Sequence, residues 1–330
     1  MTRRGNCTRR LLGLAVCLVL VVTGCGDGGA KRTEPDVTHI RVALFPGGST
    51  LPAHVAVANR ICEQNGLRVE VTEGTDLPVF MAALANGQYD IAMSTPTLAL
   101  VGAEKRLDLE IVAGLQQQSA QRPNAVWLTK DPSIATLDQL KGKTIAVPSL
   151  TGIITDSLLY LLARKGVPRG DVKLVQTPFP TMGDQLQAGH VDAAVATIPF
   201  YTAIAARGFR PHEDVIVEAV RDASAGSVDS AITSVWTATA SFTRDHPETV
   251  AAWRKSLTQA TDFLNANEVE ARAAMQSWLK IPAPVISRSP LPDWTVDITP
   301  QELSPYIAIS KAVGSTKSDP DMNALVWQGP

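Results

Sequence analysis

Four short stretches combine small hydroxyl residues, Gly and Pro without a single charge: Pro46-Gly47-Gly48-Ser49-Thr50, Ser94-Thr95-Pro96, Ser149-Leu150-Thr151-Gly152 and Thr197-Ile198-Pro199. Hydroxyls and free backbone N–H groups donate hydrogen bonds, and Gly48 and Gly152 allow close approach to the main chain. Each stretch precedes an apolar run at helical spacing, so unpaired N–H groups and the positive end of a helix dipole fall at the turn. An electron-rich group such as a carboxylate, sulfonate or phosphate can bind there without Lys or Arg. Taken singly, each turn is also what an ordinary helix start or tight turn needs. Phe45, Phe200, Tyr201 and Trp236 stand near the turns and could wall the apolar part of a small molecule, Trp236 serving equally well as core. Ser234-Val235-Trp236 can join the set from a later strand.

Bond-breaking chemistry finds less support. The five His (39, 54, 190, 212 and 246) are scattered, and neither H-E-x-x-H nor G-x-S-x-G occurs. His190-Val191-Asp192 reads as a helix end followed by a strand start. No Cys/His metal spacing and no cofactor motif is present, so neither a metal nor a cofactor is expected. The absence of acidic residues from the turns argues against cationic solutes.

The elements that must position the turns alternate. Apolar strands are predicted near 39–45, 67–71, 90–93, 109–115, 125–128, 144–147, 172–176 and 191–196. Helices are predicted over 51–64, 76–86, from Ser94-Thr95-Pro96, from Ile153 to Gly166, around 182–188 and up to Arg207. The rhythm calls for mostly parallel sheets with helices on both faces, with ligands outside the carboxyl ends of the strands. The polar run Gln116–Asn124 breaks it and suggests a crossing into a second lobe. The chain returns near Ser230–Ala238, and two long helices follow (247–265 and 268–279) before an irregular Pro-rich tail.

The first 25 residues have another purpose. Arg3, Arg4, Arg9 and Arg10 precede an uncharged run from Leu11 to Val22, then Thr23-Gly24-Cys25. This is the pattern of an export signal, and the run falls short of the roughly 20 apolar residues that span a bilayer. Cys7, Cys17 and Cys25 all fall within these 25 residues, which leaves Cys62 alone in the body and excludes an internal disulfide; Cys62 reads as a core residue. The chain has 30 basic and 32 acidic residues. Without the four leader arginines the balance is 26 to 32, which argues against nucleic acid as a partner.

The blocks IRVALFPGGS (40–49), LANGQYDIAMSTP (84–96), TLDQLKGKTIAVPSLTG (136–152) and LQAGHVDAAVATIP (186–199) resemble the solute-binding lipoproteins of ATP-binding-cassette importers. The nearest resemblance is to the nitrate/sulfonate/taurine and thiamine-pyrimidine-precursor type, and it covers roughly residues 38–280. Val22-Thr23-Gly24-Cys25 resembles the family's lipobox, which implies a lipidated Cys25 and an extracytoplasmic protein anchored to the cell membrane. The resemblance implies an α/β, two-lobe periplasmic-binding-protein-like fold (type II), each lobe a mostly parallel sheet flanked by helices, joined by two crossovers. It suggests a signal peptide (1–25), a flexible tether (26–37), the first part of lobe 1 (38–124), lobe 2 (125–228), and a return to lobe 1 with the C-terminal helices (229–330).

By the same resemblance Phe45, Gly48, Ser49, Ser94 and Thr95 would contact a ligand from lobe 1. Ser149, Thr151, Gly152 and Thr197 would do so from lobe 2, with Trp236 as a wall. Ser149-Leu150-Thr151-Gly152 stands where sulfonate-type members carry a more Ser-rich, His-containing run. The implied function is non-enzymatic: a monomer that captures a small anion, zwitterion or heterocycle and delivers it to permease subunits. The alternatives are a ligand-binding sensor without transport and, on the same fold, a small-molecule lyase.

Overall fold

The computed structural model describes residues 37–329. The leader, the proposed lipid site Cys25 and the tether through residue 36 lie outside the described residues. The chain begins with β1 (Thr38–Leu44), α1 (Leu51–Ala58), α2 (Ile61–Gln64), β2 (Leu67–Glu73), α3 (Leu77–Ala85), β3 (Ile91–Ser94), α4 (Pro96–Glu104) and β4 (Glu110–Ser119). Next come β5 (Val126–Thr129), β6 (Thr144–Val147), α5 (Ile153–Arg164), β7 (Lys173–Gln176), α6 (Phe179–Ala188), β8 (Ala193–Ala196), α7 (Phe200–Ala205), β9 (Arg210–Asp214) and α8 (Val215–Ala223). The final part holds β10 (Ser230–Ala238), α9 (Ala240–Asp245), α10 (Pro247–Ala266), α11 (Glu268–Leu279), α12 (Ala283–Arg288), β11 (Asp293–Trp294), α13 (Pro300–Val313) and α14 (Met322–Leu325).

These strands form two sheets, ordered β11-β4-β10-β3-β1-β2 and β7-β6-β8-β5-β9. Each has a parallel nucleus: β1 between β2 and β3, and β6 between β7 and β8. The strand entering from the other sheet is inserted antiparallel, β10 between β3 and β4 and β5 between β8 and β9. The expectation of mostly parallel sheets holds for the nuclei, and the inserted strands make both sheets mixed. Only consecutive strands joined by a helical crossover are bound to run parallel; a strand arriving from elsewhere is free of that constraint.

Apolar burial fixes this arrangement. One core lies between the first sheet and α1 and α10, with Trp236 and Trp253 inside it. A second surrounds the second sheet, including Trp127, and continues through α4, β10 and α13, and a smaller third packs Phe80, Met81 and Leu84 of α3 onto Ala43 and Ala92 of the first sheet. Cys62 is buried, and burial pushes its thiol up to about 11.

Three expectations about elements are corrected. The helix over 51–64 is two helices, because Arg60 adopts a left-handed backbone (φ 59°) that ends α1 and restarts the chain in α2. Strand β4 runs on through Gln116–Ser119, whose backbone pairs with β10 despite its polar side chains. The Pro-rich tail is not irregular. Helix α13 starts with a capping box between Thr299 and Glu302, and it survives Pro305 because the Ser304 hydroxyl donates to the freed Gln301 carbonyl at 2.9 Å.

Candidate functional site

The loop after β1 is tied by Thr50. Its Oγ1 donates to the Phe45 carbonyl at 2.7 Å and accepts the Gly47 N–H at 3.2 Å. The Trp294 indole N–H donates to the Gly48 carbonyl at 2.8 Å. A Cβ on Gly48 would fall 2.9 Å from Pro292 Cγ, so the loop packs this closely against Pro292 because the residue is Gly. After β3, Thr95 caps α4 by accepting the Leu98 N–H at 3.3 Å.

Across the cleft, Gly152 takes φ 98° and ψ 179°, and α5 begins there without any side-chain cap. Such a backbone is essentially restricted to Gly. The first N–H groups of a twelve-residue helix are thus left facing the cleft, with the positive end of its dipole. Thr155 Oγ1 donates to the Ser149 carbonyl at 2.6 Å and holds the turn in place.

The turn after β8 is positioned from a distance. The Ile198 N–H donates to Asn124 Oδ1 at 3.0 Å, which leaves the amide N–H2 of Asn124 as the end available to a solute. Asn124 is itself held by Asp214, which is fully buried at the start of α8. One Asp214 oxygen accepts from the backbone of Asn124 (2.7 Å) and Ala125 (2.9 Å); the other accepts from Gln118 Nε2 (2.7 Å) and the Ile216 and Val217 N–H groups (2.8 and 3.1 Å). Burial pushes this carboxyl up to about 6 against the pull of its backbone donors. All five contacts are donors, so the arrangement is built for the carboxylate.

Between these turns lies a cavity of about 110 Å³. One water-sized unit takes roughly 10–15 Å³ on this scale, so the space suits a small solute. Phe45, Gly48, Ser49 and Thr95 line it from the first sheet; Ser149, Thr151, Gly152 and Thr197 line it from the second. No charged side chain of the described residues lines it. Phe45 meets Phe179 edge-on across the cleft, with ring centroids 5.7 Å apart, and Phe179 stacks on Phe200 at 5.5 Å.

Two expected residues are placed elsewhere. Ser94 is fully buried in β3, its Oγ 3.4 Å from the Thr95 carbonyl. Side chains alternate across a strand, so Met93 and Thr95 line the cavity and Ser94 points away. Trp236 is core, edge-on to Trp253 at 5.2 Å. Because β10 runs antiparallel, its earlier residues Thr233 and Ser234 reach the cleft and Trp236 lies deeper in the sheet.

Sequence reasoning missed Gln116, Asn124 and Thr155 as polar lining, and Phe179 as an aromatic wall. The run Gln116–Asn124 was the available signal, since a polar stretch where two lobes meet is where a cleft must be.

The chain is similar to known proteins in sequence and in fold. The model of the family described as NMT1/THI5 like matches residues 54–271. A putative periplasmic binding protein of an ABC transporter from Brachyspira hyodysenteriae is 25% identical over 282 residues, covering 81% of this chain and 76% of that protein. The taurine-binding periplasmic protein of Escherichia coli is 26% identical over 244 residues, 74% of this chain and 70% of that one. Among solved structures, the periplasmic aliphatic sulphonate binding protein SsuA from Escherichia coli superposes with a TM-score of 0.70 at 16% identity. That match covers 90% of this chain and 94% of the other, and it shows a shared fold.

Proposed function

The chain belongs to the NMT1/THI5 like family, and on that premise we propose that it captures a small solute between its two sheets outside the cytoplasm and delivers it to an ATP-binding-cassette permease. The observation that carries the proposal is the uncharged cavity lined from both sheets by hydroxyl turns, with the uncapped start of α5 at its wall. A solute held there touches both lobes at once, which is the condition for a ligand to favour the closed form. Ser49, Thr95, Ser149, Thr151 and Thr197 are the proposed contacts, with Gly48 and Gly152 allowing close approach and Phe45 as an apolar wall. Relatives named for taurine and transport support the reading.

The solute class is a small anion, a zwitterion or an uncharged heterocycle. The carrier undergoes no chemical step, works as a monomer, and is tethered to the membrane through a lipidated Cys25. The test is a thermal-shift screen of the purified protein against sulfonates, nitrate, bicarbonate, taurine, pyrimidines and amino acids. A solute at 100 times its dissociation constant adds about 2.7 kcal/mol. One clear hit that disappears in Ser149→Ala or Thr151→Val is the expected result. A flat response across the panel from folded protein would refute the proposed solute class.

A further inference from the structure

A second cavity, of about 320 Å³, adjoins the first and shares Phe45, Thr75, Pro148 and Phe179 with it. The edge-on contact of Phe45 with Phe179 therefore stands between two spaces of different chemistry. Beyond that contact the walls are aromatic and proline surfaces, including Phe200 and Trp278, with Thr75 and Gln176 the polar side chains and no charged one among the described lining residues. A charged or heavily hydroxylated group entering here would lose its water without compensation.

The aromatic walls are held in place before anything arrives. His54 stacks on the Trp278 indole (centroids 4.3 Å apart, planes 9° apart), and the indole N–H donates to Glu73 Oε1 at 2.9 Å. Phe179 and Phe200 stack nearly parallel, 14° apart. Side chains fixed in this way lose little rotamer freedom when a ligand binds. Trp278 belongs to α11 on the first-sheet side, and Phe179 and Phe200 belong to α6 and α7 on the second. An occupant of this space would again touch both lobes.

We propose that this cavity is a subsite for a planar, uncharged arm, aromatic or heteroaromatic, carried by the same solute whose polar head occupies the neutral cleft. The inference rests on the reading of that cleft as the solute site. Burying one aromatic ring here raises affinity roughly tenfold to a hundredfold over a solute without the arm.

Two measurements test it. In the first, benzyl alcohol is titrated into ¹⁵N-labelled protein while the Trp278 indole N–H signal, assigned through Trp278→Phe, is followed by NMR. A saturable millimolar shift that persists in the Ser149→Ala/Thr151→Val double variant and is lost in Phe200→Leu supports the subsite. No shift, or a shift indifferent to Phe200→Leu, overturns it. Leu stays apolar and removes the stacking face, and the remaining amide signals of Phe200→Leu must keep their wild-type positions, so a misfolded variant does not mimic the result.

The second compares methanesulfonate with 3-phenylpropanesulfonate, and acetamide with 3-phenylpropanamide, by calorimetry. The expected gain from the arm is at least about tenfold in whichever pair binds, and Phe200→Leu cancels it. Short solutes that bind while their arm-bearing mates gain nothing overturn the subsite alone. A flat panel in the cleft together with a responding Trp278 signal refutes the cleft reading instead.

Discussion

Replacing Asp214 by Asn is the sharpest probe of how this site is held. The carboxylate accepts five hydrogen bonds, two on one oxygen from Asn124 and Ala125 and three on the other. An amide keeps one acceptor and turns an N–H2 toward donors. If the nitrogen takes the side with fewer partners, two buried backbone N–H groups are orphaned at about 1–3 kcal/mol each. The expected loss is thus about 2–6 kcal/mol at pH 7.5, a large share of the roughly 5–15 kcal/mol that a folded protein has. The raised pKa does not contradict this. From the ordinary 3.8 to about 6 is roughly two units, or about 3 kcal/mol by which burial disfavours the charge after its backbone donors have offset part of the cost. The folded state therefore holds the proton more tightly than the unfolded state between about pH 4 and 6, and stability falls as pH rises through that window. Keeping the charge is costly and removing it costs more, because the donors have been built around it. Urea unfolding of wild type and Asp214→Asn at pH 7.5, read as a change of midpoint at constant slope, measures the difference. A variant within about 1 kcal/mol of wild type would refute the five-donor account. A second readout follows from geometry: Asn124 positions the Ile198 N–H, so the variant should also bind its solute more weakly.

Other perturbations separate the remaining claims. Ser149→Ala and Thr151→Val should each weaken solute binding by about tenfold, the worth of one hydrogen bond, while Ser94→Ala changes it less than about twofold in the same calorimetry. Gly152→Ala has open space around its Cβ, the nearest atom being Leu98 Cγ at 3.8 Å. Its cost is therefore backbone strain of about 1–3 kcal/mol, visible as a lowered melting temperature together with weaker binding. Asp156 accepts from Ser315 Oγ at 2.9 Å, its other oxygen is buried without a partner, and burial pushes its carboxyl up to about 6. Stability from this group is likewise lost as pH rises from about 4 to 6, so Asp156→Asn should flatten that part of the pH profile. Denaturant midpoints at pH 4.5 and 7.5 check this, and an unchanged slope would assign it to Asp214.

What was legible in the sequence follows from local rules. The strand–turn–helix units carry their own signals, as in Asp76 and Thr95, which cap α3 and α4, and Gly189, which ends α6 in a left-handed backbone. The turns that meet at the cavity could be named because all of them sit at strand ends. What could not be read depends on tertiary neighbours. Trp236 and Ser94 are excluded from the cavity by strand direction and by side-chain alternation within a finished sheet. Gln116 is polar and 2 % exposed, and it lines a cleft that exists only once the two sheets are assembled. Helix α13 starts with a capping box at Thr299 and Glu302, and the prolines around it are what made the tail read as irregular.

That missed helix changes how closing of the cleft must be understood. Two crossings of the chain join the sheets, and a two-strand hinge alone would let the lobes move independently of the C-terminal residues. Yet α13 packs against α5 and α8 on one side and α4 on the other. The turn after it fastens both: Ser315 donates to Asp156 in α5, while Thr316 Oγ1 and the Lys317 N–H donate to Glu104 at the end of α4. Helices α4 and α5 are the two whose starts, at Thr95 and Gly152, form opposite walls of the cavity. A solute drawing those starts together must therefore pivot both helices about a common brace. The rest position of the cleft is then set by the packing of α13 as well as by the solute, and the brace contains a buried carboxyl that titrates near pH 6. Changes at Asp156 or Ser315, remote from any solute contact, should consequently alter affinity through the open–closed balance and leave the preference among solutes unchanged.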